Sequence, residues 1–326
     1  MQPTEQEIEA GLNSTLWNIR VEWANRMDFT PTPEQVERGL TDATYYIREL
    51  WAERMDFTPT PEQIERGLTD LSWRSRVAWA VRRDFMPTPE QIERGLTDPS
   101  KEVRTAWANR KDIQLTPEQI ERGLTDREWN TRVTLAQRMD FTPTPEHVER
   151  GLSDDNAFVR SSWAQRIDFI PTPEQVERGL TDEAWRVRKA WVARLVWTPT
   201  PLQIERGLTD KVAEVREAWA QRSDFTPTPE QVERGLADHS MSVICMWLQR
   251  TDFTPTPEQV EMGILHENMH IVIAWLSRTD VAWTDDQIRR GLQHPAVEVR
   301  DAWMQVVQRQ SSCAVEDSEA ISIFSV

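Results

Sequence analysis

The chain has 326 residues, with 38 Lys+Arg against 54 Asp+Glu and a formal net charge of −16. That balance argues against direct binding to nucleic acid or an anionic membrane, since both need an excess of cations. Hydrophobic residues make up 38%, and no apolar run approaches the ~18 residues a membrane span needs. Two cysteines, Cys245 and Cys313, are too few for a disulfide framework or a Cys-rich metal cluster. The start Met1-Gln2-Pro3-Thr4-Glu5 has neither the basic stretch nor the apolar core of a secretory leader, so a reducing, cytoplasmic setting is expected.

All eleven glycines fall at one interval of 28 residues, from Gly11, Gly39 and Gly67 through to Gly291. Tryptophan keeps the same interval from Trp23 to Trp303, with Leu135 as the exception. Arginine keeps it twice, from Arg20 to Arg216 with a return at Arg300, and from Arg26 to Arg278. Self-similarity at this period predicts an all-α solenoid of eleven two-helix units over residues 1–309, each burying its apolar face on its neighbours. Residues 310–326 lie outside the period and read as a flexible tail.

Along one period, Asp98-Pro99 reads as a cap followed by proline, opening a second helix. Its Val103, Ala106, Trp107 and Arg110 fall at i, i+3, i+4 and i+7 and form a core-facing stripe. A connector with an aromatic follows in most units, as in Asp28-Phe29-Thr30-Pro31-Thr32-Pro33, where two prolines impose extended backbone. The first helix of the next unit opens at Thr116, an N-cap, with Pro117 at the first position and Gln119 completing a capping box. Ile120 and Leu124 supply its apolar stripe, and Glu118 with Arg122 is an expected i, i+4 pair. The recurring glycine predicts a close approach of its backbone to a neighbour.

The stretch Asp98-Pro99-Ser100-Lys101-Glu102-Val103-Arg104-Thr105-Ala106-Trp107-Ala108-Asn109, followed by Thr116-Pro117-Glu118, resembles leucine-rich repeat variants. It is also similar to the HEAT-like repeats of the phycocyanobilin-lyase type. The resemblance covers nearly the whole chain and departs from both families in unit length and in its tryptophan column. It implies a right-handed α-solenoid and no particular activity. Thr-Pro-Glu-Gln-Val/Ile also looks like the opening of a transcription-activator-like effector repeat, but the period differs and the base-reading pair is missing.

His266-Glu267-Asn268-Met269-His270 matches the H-E-x-x-H zinc pattern, and His294 follows His266 by one period. His266 stands in the column that elsewhere carries Asp98, Asp126 and Asp210, so the match reads as chance. The residues His266, His270 and His294 remain weak metal candidates, and no cofactor or catalytic residue is expected. The two arginine columns recur with Asp42, Asp70 and Asp98, which predicts a structural ladder between units rather than an anion site. The tryptophan column reads as core.

Two columns of the second helix vary instead of repeating, and they carry interface residue types. The candidate partner-binding residues are Trp17, Tyr45, Tyr46, Trp73, Arg74, Trp129, Asn130, Phe158, Trp185 and Arg186. Their tryptophans recur every 56 residues, on every second unit. The leading expectation is a non-enzymatic scaffold that binds another macromolecule, a protein above all, through this face. The alternative is an acidic nucleic-acid mimic that inhibits a DNA- or RNA-binding enzyme, and a HEAT-like nucleic-acid enzyme is third.

Overall fold

The computed structural model describes residues 2–323, with side chains for residues 2–310. Among the described residues the chain is all α-helical, with 22 helices in successive pairs of 28-residue period and no strand. It divides into two compact units, residues 1–169 and 170–326.

In the first unit, first helices Glu5–Leu12, Pro33–Leu40, Pro61–Leu68, Pro89–Leu96, Pro117–Leu124 and Pro145–Leu152 alternate with second helices Trp17–Ala24, Tyr45–Glu53, Trp73–Val81, Lys101–Ala108, Trp129–Ala136 and Ala157–Gln165. The second unit repeats the alternation from Pro173–Leu180 to a last helix Val297–Ile323. The expected tail, residues 310–326, has its side chains from 311 onward outside the described residues, and residues 324–326 lie outside altogether.

Helices of eight or nine residues are marginal in isolation, so local devices and packing must hold them. Every first helix carries the expected capping box: Thr116 Oγ1 accepts from Gln119 N at 3.3 Å while Thr116 N donates to Gln119 Oε1 at 3.0 Å. Within each unit the second helices pack directly on one another as a continuous layer, with each first helix laid against the second helix of its own pair. Core side chains are those of the predicted stripes, Ile120 and Leu124 on a first helix and Val103 and Trp107 on a second. In the second unit, one core joins Ile271, Val272, Trp275 and Leu276 with Trp283, Val299, Trp303 and Val306.

The glycine column answers to the tryptophan column. A Cβ on Gly67 would lie 2.1 Å from Trp79 Nε1, and one on Gly207 would lie 2.0 Å from Trp219 Nε1. No glycine has positive φ, so the requirement is one of space: the indole of the second helix lies flat on the backbone of the first. At Gly123, which faces Leu135, the closest approach is 2.6 Å.

Two sequence expectations are corrected. Asp98 does not open the second helix, which begins at Lys101 with Ser100 as its cap. The Asp98 carboxylate is committed elsewhere, accepting from Ser100 N at 2.8 Å and from Arg76 Nε at 2.7 Å. Glu118 and Arg122 do not pair either: Arg122 reaches back to Glu93 of the preceding repeat. The i, i+4 contact gives way because a bond between repeats also takes in Gln119, whose Nε2 donates to the same Glu93 at 3.1 Å.

Candidate protein interface

Three charge ladders join the repeats, and they decide which polar groups are left without a partner in the scaffold. In the first ladder Arg48 donates to Asp70 at 2.6 and 2.8 Å and to the Asp42 carbonyl at 2.7 Å, tying one turn to the next. Equivalent pairs run from Arg20–Asp42 to Arg132–Asp154 in the first unit, with Arg188–Asp210 and Arg216–Asp238 in the second. Further along, the arginine becomes Ile244 and Val272, and the matching aspartates become His266 and His294. At these two steps both members are exchanged together; where the arginine returns, Arg300 donates to the carbonyls of His294 at 2.7 Å and Pro295 at 2.8 Å.

The second ladder is buried. Arg82 donates to the carbonyls of Ala52 at 2.7 Å and Arg54 at 2.6 Å, which close the preceding second helix, and to Phe57 O at 3.3 Å; it also pairs with Asp84. Its guanidinium lies between the rings of Phe57 at 4.8 Å and Trp79 at 5.3 Å. Helix-end carbonyls would otherwise be orphaned, and the planar cation satisfies several while stacking on both sides. The connector aromatic and the Arg-x-Asp signature serve this clamp, a role the sequence reading did not assign. The third ladder runs between first helices, where Glu37 accepts from Gln63 at 3.0 Å and Arg66 at 2.8 Å.

These partners set the acid response. Burial pushes the Asp70 carboxyl upward, but Arg48, the Ser72 N–H and Arg76 together outweigh it and hold the group below its ordinary value. Asp42, Asp126 and Asp238 behave alike. A depressed folded pKa contributes stability that is present above the unfolded value near ~3.9 and is lost as pH falls through the folded value. Circular dichroism is expected to show helix content unchanged from pH 7 to about 4 and lost below it; equal stability at pH 2 and 6 would contradict the ladder's role.

Of four acids in a consensus repeat, as in Asp28, Glu34, Glu37 and Asp42, three are paired with arginine. The exposed carboxylate left is that of Glu34 and its equivalents such as Glu62 and Glu90, at the second position of the first helices.

The exposed side of the second-helix layer carries the varied columns. In the first unit Trp17 is 56% exposed, Tyr45 49%, Tyr46 39%, Trp73 39%, Trp129 37% and Phe158 46%, against 1–2% for the core column at Trp51, Trp79 and Trp107. The column read as core is buried, and the varied columns leave the helices on their exposed side. Trp129 and Phe158, from consecutive repeats, stack at 5.2 Å and 21°. Arg74 lies over Trp73 at 4.9 Å, and Asn130 is exposed beside Trp129. In the second unit, Arg186 lies over the half-buried Trp185 at 4.8 Å.

Glu49 belongs to the same face, although the sequence reading did not place it among the candidates. It occupies the column of Val21 and Val77, its Oε2 is buried without a hydrogen-bond partner, and Arg74 approaches to 3.9 Å. Burial raises its carboxyl above the ordinary Glu range; Arg74 opposes this and Glu53 reinforces it. The alternation of Val21, Val77 and Val133 with polar Glu49, Thr105 and Ser161 at that column was the available signal.

The H-E-x-x-H string does not lie on one helix. The second helix starts at Met269 with Asn268 as cap, and His266 stands in the preceding turn, its Nδ1 accepting from Asn268 N at 2.9 Å. His294 Nδ1 likewise accepts from Ala296 N at 3.1 Å. Among the described residues no three His, Cys, Asp or Glu side chains are grouped to hold a metal, and no helix is long and apolar enough to cross a membrane.

No protein-family model matches the chain, and no curated protein does. Among solved structures it is similar to one described as a leucine-rich repeat variant with a novel repetitive protein structural motif, at 21% identity and a TM-score of 0.46, over 76% of this chain and 86% of that one.

Proposed function

We propose that the protein is a non-enzymatic helical-repeat scaffold that binds a partner protein through the exposed side of its second-helix layer. The observation that carries this reading is the row of half-exposed aromatics, Trp17, Tyr45, Tyr46, Trp73, Trp129 and Phe158, on helices whose other side is packed core. Large rings at a solvent-facing surface are the residue types that dominate protein interfaces. Nucleic-acid mimicry has less support, because most repeat carboxylates are neutralised by arginines within the scaffold.

The test replaces Trp17, Trp73 and Trp129 together with Ala. Helix content should be unchanged, while retention of a stoichiometric protein from nuclease-treated lysate should fall at least about tenfold relative to the unaltered chain, as expected when central aromatic anchors are truncated. Equal retention by both chains, or nothing retained by the unaltered one, overturns the reading.

A further inference from the structure

We propose that a patch on the second unit, formed by Ile170, Leu195, Val196 and Leu202, docks the apolar stripe of an amphipathic helix whose flanking Lys or Arg side chains meet Glu174 and Glu230. The patch is a second surface: all six residues belong to the second unit, and none is in the aromatic row.

The strict repetition of the chain makes the patch conspicuous. The column of Val196 holds Asp in all nine other connectors, and the column of Leu202 holds Glu or Asp in all nine other repeats. Both acids give way to apolar residues in this repeat alone. At the following connectors the aspartates serve the scaffold, since Asp224, Asp252 and Asp280 pair with Arg222, Arg250 and Arg278. The exchange therefore removes a structural group and leaves large apolar side chains in water: Ile170, Leu195, Val196 and Leu202 are 53% to 88% exposed. Contiguous apolar surface of this kind marks an interaction site.

Topology puts the four together. Residues 193–200 close the second helix Trp185–Val192 and open the first helix Pro201–Leu208. Leu195, Val196 and Leu202 therefore lie at one end of that helix pair. Ile170 stands in the preceding connector at the same end, one repeat or ~8–10 Å away.

Charge on either side selects the occupant. Glu174 and Glu230 hold the position of Leu202 on the adjoining first helices, and both are exposed. Their carboxylates bond to their own helix starts at Thr172 and Thr228 rather than to an arginine. Arg206 and Arg234 on these helices are taken by Glu177 and Glu205, and residues 170–172, 193–200 and 222–228 expose no Lys or Arg. Two repeat steps separate the carboxylates by ~16–20 Å. A helix laid along the stack covers that distance in about 13 residues at ~1.5 Å each, with its apolar stripe over the patch and a cation at each end.

The test uses the full chain and the labelled peptide Lys-Gln-Ala-Leu-Ala-Gln-Leu-Leu-Gln-Ala-Leu-Ala-Gln-Lys at about 0.15 M salt, where long-range attraction to the net charge is screened. This peptide should bind, while the forms with both Lys changed to Glu, or with every Leu changed to Gln, should not. Ile170→Thr, Leu195→Ser, Val196→Asp and Leu202→Glu together install the residues that Thr226, Ser223, Asp224 and Glu230 hold one connector on, so helix content should be kept. Binding should nevertheless fall at least about tenfold. The two added carboxylates would strengthen attraction to lysine, so the loss reports the apolar contact. Should the fourfold variant lose helix content, Leu202→Glu alone should still weaken binding about threefold. Glu174→Gln with Glu230→Gln should weaken it about threefold, and the control Glu34→Gln with Glu62→Gln should leave it unchanged. Failure of the Lys peptide to bind, undiminished binding by the fourfold variant, or equal effects of the two Glu pairs overturns the proposal. Concentration-dependent dimerisation of the unaltered chain that the fourfold variant loses would assign the patch to a second copy and overturn it as well.

Discussion

Gly67→Ala should destabilise the first unit by about 3 kcal/mol, at the upper end of the range for forcing a methyl into a packed core. Alanine is the better helix former by ~1 kcal/mol, so intrinsic propensity alone predicts a gain. The sign reverses because the new Cβ would lie 2.1 to 2.3 Å from Nε1, Cδ1 and Cε2 of Trp79, and the indole is 2% exposed with nowhere to retreat. Gly123→Ala provides the internal comparison. Its neighbour is Leu135, at 2.6, 2.9 and 3.3 Å, a branched side chain that can rotate, and its cost should stay below about 1.5 kcal/mol. Pairing Gly67→Ala with Trp79→Leu should recover part of the loss relative to the sum of the single changes. Hydrogen exchange resolved by repeat is the suitable readout, because repeat arrays need not unfold as one cooperative block. A neutral or stabilising Gly67→Ala would show that the ring and backbone are not in contact.

Removing a buried arginine should cost at least as much. Arg82→Met keeps much of the side-chain volume but leaves the carbonyls of Ala52, Arg54 and Phe57 and the carboxylate of Asp84 without their donor. Breaking a buried pair from one side typically costs 3–5 kcal/mol, and about 4 kcal/mol is expected here. Arg82→Lys retains the charge but cannot stack a planar cation between Phe57 and Trp79 or reach all four acceptors, so it should recover less than half of the loss. The same exchange at Arg138, whose flanking positions hold Ile113 and Leu135, lacks the aromatic sandwich and should cost about 0.5–1 kcal/mol less than at Arg82. Denaturant unfolding of the four proteins side by side checks the order, and a neutral Arg82→Met would remove the clamp from the account.

The repeat was legible because its signals are local or strictly periodic. Thr-Pro-x-Gln specifies a capped helix start within four residues, and Val103, Trp107 and Arg110 fall on one side of a helix at any tertiary arrangement. The candidate face was legible in part. Divergence at Trp17, Tyr45, Trp73 and Trp129 pointed to a surface, and those residues are exposed. Glu49 is not a candidate by sequence because its column also holds Val21, Thr105, Lys189 and Glu217, and a glutamate there reads as variation until its buried oxygen and its approach to Arg74 are seen.

Pairings across the repeat are where sequence reasoning gave out. Arg122 has a glutamate four residues before it on its own helix and another 29 residues before it on the neighbouring one. Spacing along the chain favours the near one, and stacking selects the far one because Gln119 shares it. Asp98 looked like a helix cap for the same reason, since a one-dimensional reading cannot see Arg76 arriving from the previous repeat. Fold class, period, first-helix starts and core stripes thus follow from the order of residues, because they depend on backbone geometry and on contacts within a turn or two. The partner of each charge and the side chain that fills the space at each glycine were decided only by stacking, because they depend on atoms that 12 to 30 residues of chain bring together.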